Sequence, residues 1–131
     1  MSNYDKLFAC VDALQKADPQ QAYSDENYRV NLIKQFNSTF GVASKILEDA
    51  LRNMGMNNSL DDPAEFFRVC AEHGFIEDNQ VWESMQNDRN VSLFVYNEKT
   101  TAEILVRIMT AYVPALSHFA SLLAAHLNQQ E

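Results

Sequence analysis

The chain has 131 residues and a mass of 14.9 kDa, one domain's worth, enough for a self-sufficient core that buries roughly two-thirds of the unfolded surface. A formal charge of −8 and a pI near 4.7 exclude a broad electrostatic footprint for duplex nucleic acid, which rests on neutralised phosphates. No run approaches the ~18 consecutive apolar residues of a membrane span, and "MSNYDKLFACVD" lacks a basic signal-peptide head, so a cytoplasmic protein with no membrane partner is expected.

A first helix is expected from about Ser2 to Ala17, because Tyr4, Leu7, Val11 and Leu14 repeat at three- and four-residue steps, with Phe8 beside them. "ADPQQAYSDE" breaks it: Pro19 disfavours helical geometry at Asp18, and Ser24 or Asp25 is placed to cap the next helix. That second helix runs to about Met54 with Ile33, Phe36, Phe40, Ala43, Leu47 and Leu51 on one stripe. Gly41 interrupts it at a cost of about 1 kcal/mol relative to alanine.

"GMNNSLDDPAEFF" reads as a loop and then a helix start, with Asp61 or Asp62 as cap and Pro63 in the first helical position. The short helix closes at "EHG", where Gly74 is suited to the left-handed conformation and His73 to the negative end of the dipole. Asp78 caps a restart that carries Trp82 and Met85 toward Arg89. Asn97 caps the last helix, with Thr100 and Glu103 suggesting a capping box. Leu105, Ile108, Tyr112, Leu116, Phe119, Leu123 and Leu127 form the final stripe, which Pro114 is expected to bend. With only three glycines and three prolines, the pattern predicts a single all-α domain over residues 1–131, an up-and-down four-helix bundle with a short extra helix.

Chemistry-bearing constellations are few. Cys10 and Cys70 do not make a disulfide framework and read as small buried thiols. Cys70 and His73 share a helix face, but two ligands do not make a zinc site. His118 and His126 are preceded at the relevant spacing by Ala115 and Leu123, not by the glutamates of a di-metal carboxylate bundle. No metal or cofactor is expected. There is no glycine-rich phosphate loop and no local signature of an activated nucleophile. Arg89 and Asn90, taken alone, read as the end of a helix, and Tyr96 as a core ring with a hydrogen-bonded hydroxyl.

Read together, "RVNLIKQFNSTFGVASK" and "PAEFFRVCAEHGFIEDNQVWESMQNDRNVSLFVY" resemble the nucleotidyltransferase substrate-binding proteins, a family of the HEPN group of small helical bundles. Pro63, Phe67, Arg68, Gly74, Ile76, Asp78, Trp82, Met85, Arg89, Asn90 and Tyr96 fall in register with its pattern. The resemblance implies a four-helix bundle, usually dimeric, encoded beside a minimal nucleotidyltransferase with which it forms a two-component complex of toxin–antitoxin type. In related pairs an arginine and a histidine cleave RNA, and the transferase silences them by nucleotidylating the motif tyrosine.

This sequence departs from that pattern at the chemistry. The histidine position is Phe94, the two glutamates of the second helix are Asn37 and Gly41, and its tryptophan is Ser44. A phenyl ring neither accepts nor donates a proton, so acid–base cleavage centred there is unavailable. The expectation is therefore a non-catalytic, homodimeric subunit that binds a minimal nucleotidyltransferase. Arg89, Asn90, Tyr96, Lys45 and Arg29 would mark a remnant pocket for a nucleotide or an RNA phosphate. The alternatives are an active ribonuclease toxin and a stand-alone helical interaction scaffold.

Overall fold

The structure, a computed structural model, describes residues 2–57, 60–94 and 97–129, with side chains as far as residue 127. Helix α1 (Asn3–Gln15) is capped by Ser2, and α2 (Pro19–Ser24) by Asp18, which accepts from the amides of Gln20 and Gln21. Asp25 caps α3 (Glu26–Asn53), Asp62 caps α4 (Pro63–Glu72), and α5 (Asn79–Phe94) follows. Asn97 accepts from the Thr100 amide to start α6 (Glu98–Arg107). A π-helical turn, Ile108–Tyr112, then joins α6 to α7 (Val113–Gln129) without a break.

Helices α3 and α4 end alike. Gly55 and Gly74 adopt φ of 77° and 76°, and the next amides, of Met56 and Phe75, reach back to the carbonyls of Leu51 and Cys70, each at 2.9 Å.

All described secondary structure is helical, but the architecture is not the expected up-and-down four-helix bundle with one short extra helix. Six helices build it, counting the last as continuous through the π turn, and five of them reach seven residues or more. The Asp18–Pro19 pair that reads as a break is itself a helix start, with the aspartate as cap and the proline at the first helical position. Helix α4 is a wall of the core and not an appendage: it buries Phe66, Phe67, Val69 and Cys70.

Helix α1 packs on α3 and α7, α4 on α5, and α5 on α3 and the π turn. Trp82 is the junction of the core. Its ring lies 6.0 Å from Phe40 of α3, 6.0 Å from Phe67 of α4 and 5.3 Å from Phe119 of α7. Those offset and edge-on contacts are the geometries aromatic quadrupoles favour.

By length and composition alone, Glu98–Leu127 is long and apolar enough to cross a membrane, although polar residues keep any apolar run short. Its inner stripe is core: Ile104, Leu105, Ile108, Tyr112, Leu116 and Phe119 are all buried.

Burial raises the Cys70 thiol to about 12, whereas Cys10 is only half-buried. A thiol reagent is therefore expected to modify Cys10 in the native protein and Cys70 only after denaturation, as counted by mass spectrometry. Trp82→Ala is expected to cost about 3–5 kcal/mol in urea melts, because three helices lose their shared contact and a cavity remains.

Candidate functional site

Helix α5 carries its buried stripe through Trp82, Met85, Asp88 and Ser92, so a carboxylate stands where the spacing calls for an apolar side chain. Asp88 is 3% exposed. A charge so placed needs partners for both oxygens. Arg107 supplies a fork, donating from Nε to Oδ2 at 2.6 Å and from Nη2 to Oδ1 at 3.0 Å, and the Tyr112 hydroxyl also donates to Oδ2. With the single phenolic proton committed to the carboxylate, Ser84 Oγ, 2.5 Å from the Tyr112 hydroxyl, must be the donor to it.

The π turn makes this network possible. In an α-helix, residues five apart lie about 140° apart around the axis, and Arg107 and Tyr112 could not both reach Asp88. Here the Val113 amide bonds to Ile108 O, an i→i+5 closure that brings the two side chains onto one face. Pro114, just beyond, has no amide to lose to the widened turn. Burial, and then the bond to Asp88, push the Tyr112 hydroxyl up to about 12, and the bond to Asp88 raises Arg107 further.

The same stripe and the residues beside it meet α3. Asn37, Gly41 and Ser44 lie at i, i+4 and i+7 on one face of α3. Asn37 Nδ2 donates to Ser92 Oγ at 3.0 Å, and Ser92 Oγ donates to Arg89 O at 2.8 Å. Because the one hydroxyl proton of Ser92 is spent on that carbonyl, the Asn37 amide must turn its nitrogen toward Ser92. Its Oδ1 is left buried without a partner among the described residues, as is Ser44 Oγ. A Cβ built at Gly41 would lie 3.6 Å from Arg89 Nη2. The half-buried Arg89 guanidinium has no hydrogen-bond or ion-pair partner among the described residues.

The remaining sequence-derived candidates are dispersed. Asn90 is exposed and accepts a 3.4 Å bond from Gln86. Lys45 is paired at the surface with Asp49 at 3.2 Å. Arg29 donates to the carbonyls of Ala22 and Tyr23 at 3.1 and 3.0 Å, tying the end of α2 to α3. Twelve residues separate it from Gly41, about 18 Å along the helix. Tyr96 lies outside the described residues. Phe94 is 84% exposed and, five residues after Arg89, projects about 140° away from it around α5. The ring therefore does not close a pocket over the guanidinium.

The larger clefts lie elsewhere. One of about 300 Å³ is bordered by Trp82, Pro114 and the Glu77–His118 pair, whose atoms are 3.2 Å apart. Another, of about 290 Å³ and mostly apolar, runs between Tyr4, Ile46, Phe75 and Leu122. Asp88, Arg107, Tyr112 and Ser84 were not legible as a cluster from sequence. The one available signal was an aspartate three residues after Met85 on an apolar stripe.

Residues 2–125 match the family described as "nucleotidyltransferase substrate binding protein like". The chain belongs to this family. Membership ties it to a substrate-binding role related to nucleotidyltransferases and to a partner of that kind. No curated protein matches the chain.

Tyr112→Phe keeps the ring stacked 5.2 Å from Phe36 but strips Asp88 of a donor and Ser84 of its acceptor, and is expected to cost about 1–3 kcal/mol in denaturant melts. The Tyr112 pKa is raised on folding, so the stability linked to it is whole below the unfolded value near 10 and is lost as pH climbs toward 12. Absorbance titration should show one tyrosinate forming last, and the Phe variant should lack that late step.

Proposed function

We propose that this chain is a cytoplasmic, non-catalytic subunit of HEPN type that pairs with a minimal nucleotidyltransferase in a substrate-binding or toxin–antitoxin-type complex. Family membership supports the kind of partner. The observation that carries the non-catalytic part is Phe94, an apolar side chain at the position where proton transfer would be needed, turned into solvent and away from Arg89. The seam between α3 and α5 keeps one recessed, unpaired guanidinium, which suits recognition of an anion and leaves it no acid–base neighbour among the described residues. Homodimerisation accords with the exposed Phe94 and with the prevalence of two-fold assemblies.

Co-expression with the nucleotidyltransferase encoded nearest to it tests the proposal. A stable complex should elute in size-exclusion chromatography, and expression of the chain alone should leave growth and total RNA intact. Separate elution of the two proteins would refute the pairing. Slowed growth with RNA cleavage that Arg89→Met abolishes would replace it with a ribonuclease reading.

A further inference from the structure

We infer that the counter-ion position of Arg89, at the α3–α5 seam beside Gly41, is vacant among the described residues, and that an acidic side chain of the nucleotidyltransferase partner fills it. This rests on the pairing proposed above and names the chemistry of its contact.

Three observations converge on the seam. Arg89 is half-buried yet unpaired among the described residues, although a recessed guanidinium ordinarily has a carboxylate beside it. Gly41 sits in mid-helix with an ordinary φ, so no backbone requirement explains it. What it does is let the guanidinium lie close against α3, with Arg89 Nη2 3.6 Å from where a Cβ would stand. The nearest acidic residue in sequence, Asp88, is already held by Arg107 and Tyr112 and makes no bond to Arg89.

The flanking groups favour a peptide over a nucleic acid. Leu93, four residues beyond Arg89 on the same side of α5, is 53% exposed and gives an apolar neighbour something to cover. A chain of net charge −8 with a single recessed guanidinium here is ill suited to a polyanion, whose binding needs many neutralised phosphates. The occupant is thus an aspartate or glutamate beside an apolar residue on the transferase surface.

Gly41→Glu supplies the missing carboxylate from within, and Gly41→Gln is its uncharged, size-matched reference. The Glu variant should melt at a higher temperature than the Gln variant at neutral pH. The difference should vanish in an Arg89→Met background and fade as the introduced carboxylate is protonated below about pH 4. By surface plasmon resonance, Gly41→Glu should bind the transferase about tenfold or more weakly than Gly41→Gln, because the partner's acid is displaced and repelled.

Equal melting of the two variants would overturn the vacancy. Equal affinity for the transferase would overturn its use by the partner while leaving the complex itself established. Failure of the wild type to bind the transferase would instead refute the pairing, and the melting comparison would still decide whether the seam accepts a carboxylate. If the longer side chains prevent folding, Gly41→Asp against Gly41→Asn makes the same comparison.

Discussion

A single buried carboxylate, Asp88, constrains much of this fold. It lies on the inner stripe of α5, and its two oxygens are taken by the Arg107 fork and the Tyr112 hydroxyl. An ion in such a place is tolerated only when its partners are held in good geometry. The π turn at Ile108–Tyr112 meets that condition, because it rotates Tyr112 onto the face of Arg107. Helix α5 and the last helix are thereby fixed in one register, and Ser84 completes the donor chain.

That register has a consequence for the neighbouring face of α5. With Asp88 turned toward the π turn, the next residue, Arg89, lies against Gly41 of α3, where Asn37 and Ser44 present buried polar atoms without partners among the described residues. Protein interiors seldom leave such groups unsatisfied without a reason. A polar seam that is incomplete within the chain accords with a family defined by a role beside nucleotidyltransferases.

Local rules anticipated the helix ends well. Ser2, Asp25, Asp62 and Asn97 cap as their residue types suggest, and Gly74 closes α4 with the left-handed φ its position calls for. The same rules could have found α2, because Asp18–Pro19 repeats the signal of Asp62–Pro63. It reads as a break only when the proline is weighed against the helix before it. The site was less legible. Arg89 stands out from its neighbours in sequence, but shared charge alone also groups Arg29 and Lys45 with it. In three dimensions one ties down the end of α2 and the other pairs with Asp49.

The sequence alone determined that the chain is helical, where its longer helices start and stop, and which apolar stripes they bury, because capping and the 3.6-residue period act over a few neighbouring residues. Only the tertiary structure decided that six helices share the core, that a π turn brings Arg107 and Tyr112 to Asp88, and that Arg89 lies against Gly41. The last two outcomes depend on contacts between residues 19 to 48 apart (107 − 88 and 89 − 41), and no local preference encodes which charge will meet which.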